Sequence, residues 1–229
     1  MVDQKRRREV IPARPGRPVE EPLSPGLHAL PGTNGADHAL VVPSALPDTP
    51  VPLVVYLHGS GSDPARSLPL LQEEAETLEF LLLVPKSYHY TWDVIVGGFG
   101  PDVSALDLAL ERVFAAFPVD PDRIMLAGFS DGASYALSLG LLNGGLFSQI
   151  LAYSPGFVVP GPREGRPSIF VSHGTDDPVL PIDRCSRRIV PELRADGYEV
   201  DYREFDGGHA IPREMVAASL AFLGAPRAV

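Results

Sequence analysis

The sequence predicts an α/β protein with a mainly parallel central sheet and helices on both faces. Three observations carry this expectation. The chain has 229 residues, 45% of them hydrophobic, enough for one sizeable core. Short, almost wholly apolar runs recur along it, as strands buried on both faces do. Between them lie stretches whose apolar residues repeat at helical spacing.

Taken in order, residues 1–25 are first basic and then rich in proline and glycine, a composition that buries little apolar surface. They read as a flexible or surface-hugging arm, and residues 26–229 as a single domain. Predicted strands are Ala39–Val42, Leu53–Leu57, Phe80–Val84, Ile124–Ala127, Gln149–Tyr153, Ile169–Ser172 and Val200–Glu204. Helices are expected around Pro64–Leu78, over Val103 to Phe117 with Asp102 as N-cap, and from Ala133 to Leu142 with a stop at Asn143-Gly144-Gly145. Two more follow around Ile182–Ala195, where Pro191 should kink or interrupt the helix, and around Pro212–Leu223.

The composition also excludes. A formal net charge of −10 disfavours nucleic acid and anionic membranes, which need a basic face. Cys185 is the single cysteine, so neither an intramolecular disulfide nor a thiolate metal cluster can form, and it reads as a small buried apolar residue. Lys5, Arg6, Arg7 and Arg8 could open a signal peptide, but Pro12, Pro15 and Pro18 replace the apolar stretch that should follow. No run approaches the roughly 18 apolar residues of a membrane span. A cytoplasmic location is therefore expected. Glu73, Glu74, Glu76 and Glu79 look like metal ligands but fall on the outer side of a predicted helix, a solvated face. No metal or cofactor is expected.

Gly128-Phe129-Ser130-Asp131-Gly132 fits G-x-S-x-G, in which small flanking residues let the backbone turn sharply enough to hold a serine exposed. The pattern alone is common. Its setting is not: it follows a predicted strand and precedes a predicted helix. A serine hydroxyl needs a base to take its proton and an acid to orient that base. His209, in the glycine-rich loop Asp206–Ala210, is the candidate base. Asp177, directly after the strand Ile169–Ser172, is the candidate acid, with Asp176 its competitor. His173 precedes that turn and reads as a brace for it. The order Ser130, Asp177, His209 differs from the two serine-protease orders.

Acyl transfer also needs donors aimed at the developing oxyanion. The amide of Asp131, at the start of a helix, is one candidate. The other is the amide of Ser60 in His58-Gly59-Ser60-Gly61-Ser62, with Gly61 next. A phosphate cradle is the rival reading of this loop, but no G-K-[ST] follows it.

These residues resemble the serine esterases of the phospholipase/carboxylesterase and polyhydroxybutyrate-depolymerase-like branches of the α/β-hydrolase superfamily. The likeness runs from about Val51 to Leu223. It rests on Tyr56–Gly61, on Asp120–Ile124 with Gly128–Gly132, on His173–Pro181, and on Gly207-Gly208-His209. The resemblance implies an α/β-hydrolase fold, the triad Ser130, Asp177 and His209, and oxyanion amides at Ser60 and Asp131. It also places Tyr88–Asp93 near the substrate, making Gly61, Tyr90 and Trp92 candidate substrate-binding residues; read from the residues alone, that aromatic cluster is equally rim packing. Dienelactone hydrolases are similar but carry cysteine at the elbow. Secreted polyester depolymerases carry a signal peptide and paired cysteines, which this sequence lacks. No insertion supplies a large lid, so short or accessible acyl esters are the expected substrates. A thioesterase, lysophospholipase or acyl-peptide hydrolase with the same triad is the alternative, and a non-catalytic ligand-binding protein of this fold a further one. The expected partners are a small-molecule ester and, as an open expectation, a second copy of the chain in a homodimer.

Overall fold

The computed structural model describes residues 9–33, 35–47 and 49–221. Eight strands form one sheet: β1 (Gly26–Leu30), β2 (His38–Val42), β3 (Val51–Leu57), β4 (Leu81–Val84), β5 (Val119–Phe129), β6 (Gln149–Tyr153), β7 (Ser168–Gly174) and β8 (Val200–Phe205). Their spatial order is β1-β2-β4-β3-β5-β6-β7-β8. β2 pairs antiparallel with β1 and β4, and every other pair is parallel.

Strands β2, β3, β4, β6 and β7 are buried along their whole length, which explains their unbroken apolar sequences. Alternate residues of β3 feed two cores: Leu53, Val55 and Leu57 face one, Val54 and Tyr56 the other. Helices cover both faces. They are α1 (Pro64–Ser67), α2 (Gln72–Leu78), α3 (Asp93–Val96), α4 (Pro101–Ala116), α5 (Asp131–Leu142), α6 (Ser186–Ala195) and α7 (Arg213–Leu220). The first core packs against α4, α5 and α6, the second against α2 and α7. This is the α/β-hydrolase arrangement. Among the described residues, the connections at the carboxyl edge of the parallel strands, residues 58–63, 85–92, 154–167, 175–181 and 206–212, contain no helix, and only the four-residue α3 follows 85–92.

Several elements depart from the sequence reading. β1 was not foreseen; it is an edge strand with Leu27 59% exposed, so it lacks the apolar signature of its neighbours. The helix expected over 64–78 is two helices joined by a 3₁₀ turn, Leu68–Leu70, with Pro69 at its centre. Pro191 does not interrupt its helix: α6 runs from Ser186 to Ala195 with the proline inside it. Asp102 is not the N-cap of α4. Gly100 takes that place, and the Asp102 carboxylate accepts instead from the amides of Tyr88 and Asp93 at 2.6 and 2.7 Å. Lys5–Arg8 and the end of the helix expected to reach Leu223 lie outside the described residues. Cys185 is buried, and Glu73, Glu76 and Glu79 are exposed.

The described part of the N-terminal arm hugs the domain. Ile11 is fully buried in the first core. Asn143, just past α5, holds it there: its Oδ1 accepts from the Ile11 amide at 2.8 Å, while its Nδ2 donates to the carbonyls of Glu9 and Leu139. Farther along, the amides of Val19 and Glu20 donate to the Ala115 carbonyl. Replacing Asn143 by Ala strands the Ile11 amide in the core, so urea denaturation of Asn143→Ala is expected to show a loss of about 2 kcal/mol.

Candidate active site

The turn between β5 and α5 carries Ser130 in an unusual backbone conformation, with φ 58° and ψ −119°. Strain of this kind costs about 1–3 kcal/mol and persists only where the surroundings impose it. Here they do. The Ser130 amide donates to Tyr153 O of β6 at 2.9 Å, and its carbonyl accepts from Ala133 and Ser134 at 3.0 Å each. Gly128 and Gly132 are pressed together, and Gly132 also meets the carbonyls of Leu57 and His58, so a Cβ at either glycine would overlap backbone. That close approach is why small residues must flank the serine.

His209 lies beyond β8 with Nε2 at 2.8 Å from Ser130 Oγ and Nδ1 at 2.6 Å from Asp177 Oδ2. Because a carboxylate only accepts, the proton of the neutral ring sits on Nδ1, leaving Nε2 to accept from the serine hydroxyl. Asp177 is buried, and its Oδ1 accepts from the amides of Val179 and Leu180 at 2.9 Å each. Burial works against its charge, but the amide bonds and the His209 contact outweigh it and hold its pKa below the ordinary carboxylate value. Asp176, its competitor in the sequence, is exposed. The rings of His209 and Phe129 pack at 4.6 Å between centroids.

The loop after β3 passes directly beside the elbow: a Cβ on Gly59 would stand 3.6 Å from Ser130 Cβ. Ser60 follows, and its amide has no backbone acceptor among the described residues. The Gly61 amide is committed to Tyr90 O at 2.9 Å, which removes it as the alternative oxyanion donor. Gly61 has φ 70°, and the Tyr90 ring fills the space where a side chain would be. Asp131, first residue of α5, has an amide that the helix itself leaves without a partner. Its carboxylate accepts from Thr91 Oγ1 at 2.7 Å.

Trp92 is buried, not open to the surface of the site. It is 1% exposed, its Nε1 donates to the His58 carbonyl at 2.8 Å, and its ring lies between those of His58 and Tyr135. Tyr90 is 76% exposed and stands over the Gly61 turn. A cleft of about 360 Å³ opens beside His209, walled by Tyr56, Ser60, Phe129, Ala210 and Ile211 among others; neither Gly61, Tyr90 nor Trp92 lines it. Tyr56, on this cleft, sits in the apolar run Leu53–Leu57, which reads as a core strand.

His58 steadies the loop after β3. Its Nδ1 donates to Gly59 O at 2.8 Å and its Nε2 accepts from the Ser87 amide at 3.3 Å, a pattern that fits one neutral tautomer. Burial lowers its pKa and keeps it in that form. The described residues contain no cluster of His, Cys, Asp and Glu suited to a metal ion, and no helix among them is long and apolar enough to cross a membrane.

Residues 106–225, the half of the chain that contains Ser130, Asp177 and His209, match the phospholipase/carboxylesterase family. The chain belongs to that family. Among curated relatives, acyl-protein thioesterase 1 of Gibberella zeae is 33% identical over 106 residues, covering 42% of this chain and 45% of that protein. The probable feruloyl esterase C of Aspergillus niger is 26% identical over 241 residues, covering 90% of this chain and 87% of that protein. Solved structures share the fold of this phospholipase/carboxylesterase member: esterase PE8, with TM-score 0.65 and 24% identity, covers 88% of this chain and 98% of its own. A ferulic acid esterase from Anaeromyces mucronatus, in complex with ferulic acid, has TM-score 0.67 and 17% identity over 92% of this chain and 93% of its own.

Asp177 makes stability depend on acidity. A carboxylate whose pKa is lower folded than unfolded contributes stability that is complete above its unfolded value, near pH 4, and fades as pH falls through the folded value. Asp177→Asn is therefore expected to flatten the loss of stability below about pH 4, measured as the urea midpoint against pH for both proteins.

Proposed function

We propose that this protein is a serine carboxylesterase that hydrolyses short or accessible acyl esters through an acyl-enzyme on Ser130. The observation that carries the reading is the unbroken relay of 2.8 Å from Ser130 to His209 and 2.6 Å from His209 to Asp177. Family membership supports it. Ser130 Oγ attacks the ester carbonyl carbon as its proton passes to His209 Nε2. The oxygen that becomes negative is received by the amides of Ser60 and Asp131. When the tetrahedral intermediate collapses, the bond to the alcohol breaks and His209 returns the proton to the departing oxygen. Water then attacks the acyl-enzyme, His209 again taking a proton, and the acid leaves as Ser130 recovers its hydroxyl. Asp177 holds the ring in the required tautomer and offsets the charge of the imidazolium.

The open carboxyl edge favours small or projecting acyl groups, since no lid encloses a long chain. Hydrolysis of a thioester by the same residues is the second reading, favoured by the likeness to an acyl-protein thioesterase. A cytoplasmic setting belongs to the proposal as well, supported by the single, buried and unpaired Cys185.

Purified protein is expected to turn over p-nitrophenyl acetate and butyrate, and Ser130→Ala to lower kcat by at least about 10³-fold. Equal rates for the two proteins would remove Ser130 from the mechanism. Parallel assays with acetyl-CoA and butyryl-CoA rank ester against thioester.

A further inference from the structure

Beneath the relay lies a second histidine that the reaction above does not use. His173, the penultimate residue of β7, has a fully buried side chain. Its Nε2 stands 2.8 Å from Leu180 O and 3.2 Å from Asp177 Oδ2, and its Nδ1 lies 2.7 Å from Ser186 Oγ at the start of α6. The two groups facing Nε2, a carbonyl and a carboxylate, are acceptors only. Nε2 therefore carries the ring proton, and the Ser186 hydroxyl donates to Nδ1 and fixes that tautomer. The Nε2–H thus donates to Leu180 O, and Asp177 Oδ2, which accepts from His209, stands 3.2 Å from the same nitrogen, while Oδ1 receives two amides.

We propose that His173 is a positioning residue for the reaction: its Nε2–H, 3.2 Å from Asp177 Oδ2, offsets part of the carboxylate's charge and sets how tightly Asp177 and His209 together hold a proton. The inference rests on the serine-esterase reading of the same site. A carboxylate whose charge is partly offset by a neighbouring N–H dipole offers less to its other partner, so the imidazolium formed at His209 is stabilised less than it would be by Asp177 alone, and the base is freer to release its proton. Burial lowers the pKa of His173 itself, so it serves as a neutral donor. The other titratable groups facing this pair are few. Cys185, before α6, has its thiol pushed up by burial and by the charge of Asp177. Glu204 of β8 pairs in register with His173 and is bound to Arg187, itself paired with Asp183. Asp176 in the same loop is exposed.

The test is the pH profile of kcat/KM for p-nitrophenyl butyrate in the full-length protein and in His173→Leu, His173→Gln and Ser186→Ala. The low-field proton resonance of the His209 to Asp177 bridge is recorded alongside. His173→Leu is expected to move the acid limb up by roughly half a pH unit or more, because the freed carboxylate holds the imidazolium more tightly. Its kcat should fall roughly tenfold with KM little changed. His173→Gln, whose side-chain amide can donate where Nε2–H did, should bring the limb back toward wild type. Ser186→Ala, which releases the tautomer, should move the limb and the resonance in the same direction by less. An acid limb unmoved in a folded His173→Leu protein overturns the proposal. Where that variant does not fold, an unmoved limb and resonance in Ser186→Ala overturn it. Failure of the esterase reading looks different: wild-type protein that neither turns over the ester nor labels at Ser130 with a fluorophosphonate refutes that reading and this proposal together.

Discussion

The charge on Asp177 is buried, and a buried carboxylate persists only where donors replace the water it has lost. Three N–H groups do so, two amides of its own turn and the His209 ring, and the His173 ring stands 3.2 Å from the oxygen that His209 holds. Each commitment shapes something else. The two amides close residues 177–180 into a tight turn. His173 ties that turn back to β7 and to the first residue of α6. The remaining donor brings in the loop beyond β8, which is also clamped by the Thr175 and Asp176 amides donating to Phe205 O and Gly207 O at 2.9 and 3.0 Å. The acid and the base are thus separated by a distance that strand pairing sets, and side-chain rotation has little say in it.

The opposite wall of the site is built from neutral groups and held as firmly. His58 joins its own loop to Ser87, and Trp92 clamps the His58 carbonyl from below. The segment carrying Ser87 to Trp92 is in turn anchored by a reciprocal exchange: Asp102 accepts from the amides of Tyr88 and Asp93, and Asp93 accepts from those of Gly100 and Asp102. Burial, together with the charge of Asp93, pushes the Asp102 pKa up to about 6, even though two amides favour its charged form. The amides of Ser60 and Asp131, the oxyanion donors of the proposed reaction, therefore sit on a framework held by these contacts, as preorganised stabilisation of an oxyanion requires.

How much of this was legible in the sequence depends on whether a residue's role is set by its neighbours in the chain or by distant ones. The inner strands could be read because burial on both faces leaves no polar position, as in the unbroken Leu81–Val84. The turn at Ser130 and the loop at His209 could be read because their glycine-rich sequences reflect backbone constraints within a few residues. Asp102 was misread because the motif D-x-x-x before an apolar run is that of an N-cap, while the partners that claimed its carboxylate lie at Tyr88 and Asp93, 14 and 9 residues away. Trp92 looked like pocket lining for a similar reason: nothing nearby in sequence reveals that the His58 carbonyl, 34 residues earlier, takes its N–H. The hydrogen bond of Ser186 to His173 and the burial of Ile11 against Asn143 are equally long-range facts. β1 escaped because an edge strand with an exposed face leaves a weak pattern.

The two walls meet at Ser130, and its strained backbone is where their independent constraints are reconciled. The amide is tied to β6, the carbonyl to the first turn of α5, and Gly132 is wedged under the end of β3. Any relaxation of φ toward negative values would break the bond to Tyr153 and rotate Oγ away from His209 Nε2. The strain is therefore stored in the same contacts that place the hydroxyl between the charged wall and the neutral one. Because the core around β3, β5 and β6 is closed on both faces, the turn has no room to yield. Aim of the nucleophile is in this way a property of the sheet, and it survives in a site whose rim is open to solvent.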